Sequence, residues 1–219
     1  MDTRKRYPLI VFDWDGTLYD SAAVIAECIQ LAARDMALPV PDRRTASHVI
    51  GLGLHDSLRH AVPELPASRY GDFVALYRKH FLAREDGMRL FSGMPELLSR
   101  LKEEHVLAIA TGKSRKGLDR ALDASGLRRY FSASRCGDET HPKPHPAMLR
   151  ELMTELSVSE AEVLMIGDTS HDLEMARAAG VDALAVTYGA HGEADLRACS
   201  PLECFSSVEA LDAWLTANG

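Results

Sequence analysis

The most constraining feature of this sequence is a set of short apolar runs that each stop abruptly at a carboxylate or a small polar residue. Tyr7-Pro-Leu-Ile-Val-Phe-Asp13 is the first. Val106-Leu-Ala-Ile-Ala-Thr111 and Val163-Leu-Met-Ile-Gly-Asp168 repeat the pattern. Ala183-Leu-Ala-Val-Thr187 does so more weakly, and Tyr130-Phe-Ser-Ala-Ser134 is a fifth candidate. Continuous runs of this kind suit strands covered on both faces, the condition of a parallel sheet. Helical patterns separate them: Pro95 to Glu104, Ser114 to Ser125, Pro146 to Leu156, and Asp172 to Ala179. Two of these open on proline, which suits a first helical turn, and two are followed by glycine (Gly126, Gly180), which suits the residue past a helix end. Ser159-Glu-Ala-Glu162 has capping-box spacing, with room for one short turn before Val163. Strands alternating with helices predict an α/β fold around a parallel sheet.

One stretch breaks the alternation. From about Asp20 to Leu90 the sequence reads as successive helices with no strand run. Ser21 to Ala37 is helical, and Pro39 and Pro41 interrupt it. Asp42 can cap a helix that runs to Ile50. Gly51-Leu-Gly53, Pro63 and Pro66 break the chain again. Ala67 to Glu85 carries Tyr70, Phe73, Val74, Tyr77 and Phe81 at helical spacing, a stripe that reads as core packing. The expected organisation is a core of residues 1–19 and 91–219 with an all-helical cap of residues 20–90. An insertion at the carboxyl end of the first strand sits over the crevice where open α/β sheets bind ligands.

Composition narrows the function. The chain has 219 residues, 25 Lys and Arg against 32 Asp and Glu, and a net charge of −7. That balance argues against a broad nucleic-acid surface and leaves room for a small anionic ligand at a local positive centre. No run approaches the ~18 apolar residues of a membrane span. The charged start, Met1 to Arg6, and the short Leu9–Phe12 run do not form a signal peptide, so a cytoplasmic protein is expected. Cys28, Cys136, Cys199 and Cys204 form no C-x-x-C pair and read as unpaired thiols.

The chemistry concentrates at the strand ends. Asp13-Trp-Asp15-Gly-Thr17 places two carboxylates two residues apart, where alternation sends both to one face and Gly16 permits a sharp turn. Ala-Thr111-Gly112-Lys113-Ser114 ends the second run. Lys143 lies among prolines in His141-Pro-Lys143-Pro-His-Pro146. Gly167-Asp168-Thr-Ser-His-Asp172 follows a later run. These four motifs, in this order and over essentially the whole chain, resemble the haloacid dehalogenase-like hydrolase superfamily. The helical insertion resembles the small cap of its phosphoglycolate phosphatase-like and β-phosphoglucomutase-like branch. The resemblance implies a Rossmann-like core and Mg²⁺-dependent hydrolysis of a small phosphorylated metabolite through an aspartyl-phosphate.

Chemical reasoning assigns the roles. A phosphomonoester repels an attacking carboxylate unless a cation bridges them, and Mg²⁺ takes hard oxygen ligands. Asp13 and Asp168 are the expected side-chain ligands, and the resemblance adds the backbone carbonyl of Asp15. Asp172, four residues after Asp168, takes an outer role through a metal-bound water or Lys143. Asp13 acts as nucleophile, and Asp15 as acid and then base. Crowding among carboxylates favours a proton on Asp15, and a bound metal opposes it. Thr111 and the Gly112 N–H face the transferring phosphoryl group. Lys143 supplies a fixed positive charge. Lys113 is a candidate substrate contact, and Ser114 a further one. His141, His145, His171 and His191 read as surface or loop histidines, since no H-x-x-x-H helix or Cys/His cluster supports a transition-metal site. His48, His55 and Arg59, flanking the Ile50–Leu54 turn, are compatible with acid recognition or with an exposed helix face.

Three alternatives share the core motifs: a phosphotransferase like β-phosphoglucomutase, a pyrophosphatase or nucleotidase, and a binding module without catalysis. The intact Asp13, Asp15, Lys143 and Asp168 argue against the last. Asp15 also argues against the superfamily's dehalogenases and phosphonatases, which lack that acid. Oligomeric state is not encoded in any of these patterns.

Overall fold

β1 (Leu9–Phe12) is buried along its whole length because it has a parallel neighbour on each side. One neighbour is β2 (Val106–Thr111), flanked in turn by β3 (Ala133–Cys136). The other is β4 (Val163–Gly167), followed by β5 (Asp182–Val186) and β6 (Glu203–Phe205). The computed structural model describes residues 6–219, and the charged residues 1–5 lie outside it. All pairings are parallel, and the order is β3-β2-β1-β4-β5-β6. Phe12 stands opposite both Ile109 and Ile166, so the chain leaves β1, β2 and β4 at one level. The order reverses at β1, which opens a crevice at its carboxyl end.

Between β1 and β2 the chain makes a helical insert: α1 (Ala22–Asp35), α2 (Arg43–His48), α3 (Leu54–Ala61) and α4 (Tyr70–Leu82). It has its own apolar cluster, with Ile25, Cys28 and Ile29 of α1 packed with Phe73 and Phe81 of α4 and Leu58 of α3. The predicted aromatic stripe therefore does pack a core. The segments by which the chain enters and leaves the insert run side by side. Asp20 N–H donates to the Arg89 carbonyl at 2.9 Å and Phe91 N–H to the Leu18 carbonyl at 3.1 Å.

Two helical layers cover the sheet. Ile10, Phe12, Ile109, Ile166 and Leu184 point to α5 (Met94–Lys102), α6 (Arg115–Ser125) and α10 (Val208–Asn218). Leu9, Val11, Ala108, Met165 and Ala185 point to α7 (Ala147–Leu156), α8 (Ser170–Ala179) and α9 (Glu193–Ala198). Side chains alternate between these layers, so each strand reads as an unbroken apolar run.

The differences from expectation have local causes. β3 begins at Ala133, not Tyr130, because Leu127–Tyr130 coils into a 3-10 turn that buries Leu127. The Ala67 to Glu85 helix divides into a 3-10 turn at Ala67–Arg69 and α4. α9 and β6 are too short for a clear periodic signal, at 6 and 3 residues, and α10 is weakly amphipathic. All four cysteines are unpaired, and Cys28 and Cys136 are buried. Among the described residues no helix is long and apolar enough to cross a membrane.

Candidate active site

Asp13 extends the β1 ladder by one bond, its N–H donating to the Ile166 carbonyl at 2.9 Å. Its side chain therefore emerges at the crevice. Gly16 then turns the chain with φ +83°, and a Cβ there would lie 2.1 Å from Asp168 Oδ2. Only glycine combines that backbone with so close an approach. The turn delivers Thr17, whose hydroxyl donates to Asp168 Oδ1 at 2.8 Å. Asp168 Oδ2 accepts the Ala190 N–H at 2.7 Å. Strand ends β1 and β4 are thus tied by residues of the two acidic motifs.

Lys143 is sealed from solvent and completes the cluster. Its Nζ lies 2.8 Å from Asp13 Oδ1 and 2.6 Å from Asp172 Oδ1. Both contacts are ion pairs at short range. Asp172 is fixed from its other oxygen, which accepts the Thr169 hydroxyl at 2.6 Å and the Thr169 N–H at 3.1 Å. This reciprocal capping at the start of α8 aims Oδ1 at Lys143. Of the two routes expected for Asp172, the structure shows the contact with Lys143.

The charges in this cluster do not balance. The carboxylates of Asp13, Asp168 and Asp172 offer oxygens all within 4.8 Å of one another, and Lys143 is the ammonium in contact with two of them. Burial pushes the Asp13 carboxyl up to about 7, Lys143 opposes the rise, and Asp172 adds to it. Burial, then the charges of Asp13 and Asp172, push Asp168 well above the usual carboxylate range. Burial alone would lower the Lys143 ammonium, but Asp13 and Asp172 outweigh it and hold its pKa above the ordinary value. Among the described residues Asp13 Oδ2 is buried without a hydrogen-bond partner. An all-oxygen donor set with an orphaned carboxylate oxygen and surplus negative charge fits a hard divalent cation.

Asp15 lies at the edge of that crowd, near enough for its charge to add to the upward push on Asp13. Both its oxygens face Lys113 Nζ, at 2.9 and 2.8 Å, and Oδ1 also accepts the Ser21 hydroxyl at 2.7 Å. The tightest group of carboxylates is Asp13, Asp168 and Asp172. Lys113 also lies 5.1 Å from the Phe81 ring centroid of the insert. Ser21 and Phe81 join the site only through tertiary folding; Ser21, the first residue of the predicted helix, directly precedes α1.

Thr111 is buried at the end of β2, its hydroxyl accepting the Lys113 N–H at 3.2 Å. Ser114 caps α6, accepting the Gly117 N–H. Gly112 meets the insert directly: a Cβ there would lie 2.6 Å from the Gly51 carbonyl oxygen. Gly53 packs equally closely on Pro142. The Gly51–Gly53 loop is thus seated on the loops that carry Thr111 and Lys143. His55 and Arg59 lie on α3, beyond that loop.

The histidines require a correction. His141 and His145 are exposed and stack on each other. His171 and His191 are buried, not surface groups, because the insert covers them. Each directs Nε2 to the backbone carbonyl of His48, at 2.7 and 3.1 Å. Burial first, then the neighbouring His171 charge, lowers His191 to about 4, and burial lowers His171 as well.

Comparison with known proteins agrees with this geometry. The haloacid dehalogenase-like hydrolase family model matches residues 10–186. The probable phosphatase IndB of Dickeya dadantii (strain 3937) is 37% identical over 92% of this chain and 91% of its own length. A phosphoglycolate phosphatase of Aliivibrio fischeri (strain ATCC 700601 / ES114) is 32% identical over 84% of this chain and 86% of its own. The crystal structure of a predicted phosphoglycolate phosphatase from Haemophilus somnus 129pt superposes with a TM-score of 0.83 at 26% identity, covering 96% of this chain and 99% of that one. The chain belongs to the haloacid dehalogenase-like hydrolase family, on its phosphoglycolate phosphatase-like branch, and is a phosphatase acting on phosphomonoesters.

Proposed function

We infer that the chain hydrolyses a small phosphomonoester of the phosphoglycolate class with Mg²⁺ as its ion. The observation that carries this reading is Asp13 Oδ2, a buried carboxylate oxygen with no protein partner, set against Asp168 in a cluster short of positive charge. Asp13, Asp168 and the backbone carbonyl of Asp15 would hold Mg²⁺. When bound, the ion supplies charge neutralisation between carboxylate and phosphate.

The residues divide the work as follows. Asp13 attacks phosphorus through a carboxylate oxygen, and the ester P–O bond breaks as the aspartyl-phosphate forms. Asp15 gives its proton to the leaving alkoxide. It then takes one from the water that attacks the acyl phosphate, releasing phosphate and restoring Asp13. Thr111 and the Gly112 N–H donate to the phosphoryl oxygens. Lys143 holds Asp13 in its attacking orientation, and Asp172 holds Lys143. Lys113 transfers its charge from Asp15 to the substrate phosphate as the substrate enters. Residues 20–90 act as a cap on a core of residues 1–19 and 91–219. The Gly51–Gly53 loop excludes water, so the cap opens to admit substrate.

Phosphate release from a panel of phosphoglycolate, nucleotides, pyrophosphate and hexose phosphates tests the reading. Release is expected to favour small monoesters, to stop with EDTA and to return with Mg²⁺. Asp13→Asn keeps the volume of the side chain, so it is expected to fold and to release no phosphate. Normal turnover by that variant, or full activity in EDTA, overturns the mechanism.

A further inference from the structure

We propose that His171 and His191 are positioning residues that latch the helical insert closed over the active site by donating together to one atom, the carbonyl oxygen of His48. The inference rests on the reading of residues 20–90 as a cap and extends it to the device that seats it.

The hydrogen-bond chemistry is restrictive. A carbonyl oxygen cannot donate, so each ring must carry its hydrogen on Nε2 to make the 2.7 and 3.1 Å contacts. His191 is further fixed because its Nδ1 accepts the Ser170 N–H at 3.0 Å. A carbonyl oxygen has two lone pairs, and two rings use them. His48 is the last residue of α2, where helix carbonyls have no partner within the helix. The insert therefore ends this helix on donors that belong to the core. The His48 ring closes the group, with its centroid 5.1 Å from His171 and 5.0 Å from His191.

The location gives the latch its purpose. His48 directly precedes the loop whose Gly51 and Gly53 seat on Gly112 and Pro142. Fixing the His48 carbonyl fixes the start of that loop. The donors come from segments that also hold the catalytic carboxylates. His191 N–H donates to the Asp168 carbonyl at 3.2 Å, beside the Ala190 N–H on Asp168 Oδ2. His171 is followed by Asp172, which pairs with Lys143. Closure of the insert and the setting of Asp168 thus share one short piece of chain. Neither histidine touches the reacting atoms, so both act through the loop.

Amide hydrogen exchange of residues 49–53 reads the latch without reference to catalysis. Asparagine and glutamine variants separate hydrogen bonding from packing, since a glutamine amide reaches the Nε2 position and an asparagine amide does not. His171→Asn and His191→Asn are each expected to speed exchange in this loop by about fivefold to tenfold, the equivalent of one lost hydrogen bond. Exchange in β1 and β4 is expected to stay unchanged. The corresponding glutamine variants are expected to exchange as the wild type does. In the asparagine variants kcat/KM for phosphate release is expected to fall by a similar factor and to recover with glutamine. Wild-type exchange in both asparagine variants overturns the latch. Glutamine variants that behave like the asparagine ones overturn it too, by showing that ring packing is what matters. Faster loop exchange with unchanged kcat/KM overturns the positioning role. If the chain hydrolyses none of the phosphoesters tested, the exchange measurements still decide whether the latch exists.

Discussion

Lys143 Nζ sits 2.8 Å from Asp13 Oδ1 with both side chains closed to solvent, at 0% and 1% exposure. A buried ion pair of this kind is a poor source of net stability but is costly to break from one side. Here the cost is compounded, because removing the ammonium leaves Asp13, Asp168 and Asp172 facing one another. Lys143→Met keeps the length and removes the charge. It is expected to destabilise the metal-free protein by about 3 kcal/mol, or roughly 6–12 °C in melting temperature for a chain of this size. Phosphate release is expected to fall by about a hundredfold or more. A thermal melt that matches the wild type would show that the cluster is neutralised by other means.

Lys113 offers a different kind of test. Its ammonium binds both oxygens of Asp15 and is reached by the Phe81 ring of the insert. Lys113→Met removes a charged hydrogen-bond partner for the substrate phosphate, worth about 1.5–3 kcal/mol. The expected result is a fall of roughly 10- to 100-fold in kcat/KM, carried mainly by KM. An unchanged KM would place the lysine's role with Asp15 and not with the substrate.

Glycine positions separate close approach from backbone strain. Gly16→Ala forces a Cβ to within 2.1 Å of Asp168 Oδ2 at φ +83°. Asp168 must move, so Mg²⁺-dependent activity and Mg²⁺-induced thermal stabilisation are both expected to be lost. Gly126→Ala has a similar φ of +69° but nothing within 4 Å of the new Cβ. It is expected to cost about 1–2 kcal/mol and to leave activity intact. Equal effects of the two on activity would refute the close approach as the cause.

These residues also mark how far the sequence could be read. The strand ends at Asp13, Thr111 and Asp168 were legible because buried parallel strands announce themselves as apolar runs, and their last residues must sit at one level. Lys143 and Asp172 were legible as motifs, and their mutual ion pair was one of two routes foreseen. The environment of Asp15 was not legible, because it depends on Lys113 and Ser21 reaching it from separate segments. His171 and His191 read as loop residues because nothing near them in sequence names a partner. Their burial comes from a helix more than a hundred residues away, as His48 and His171 are separated by 123 positions. β3 was misplaced because Leu127 pulls its segment into a tight turn before the strand begins.

The pH dependence of stability should report on His191. Burial, and then the His171 charge, lower it to about 4 in the folded chain, against an unfolded value of 6.5. A base with a depressed folded pKa binds fewer protons when folded. Its contribution to stability is complete above the unfolded value and is lost as pH falls from 6.5 toward about 4. Asp13, raised to about 7, acts in the opposite direction, since the folded chain holds that proton more tightly as pH falls below 7. The two effects oppose each other in the wild type, so the difference between wild type and His191→Gln isolates the histidine. Glutamine has no charge to gain. In urea unfolding with EDTA, the variant is expected to lose less stability than the wild type between neutral pH and pH 4. The histidine's share is at most about 3 kcal/mol, each pKa unit being worth about 1.4 kcal/mol. Parallel stability curves for the two proteins would mean that His191 carries no shifted proton in the fold.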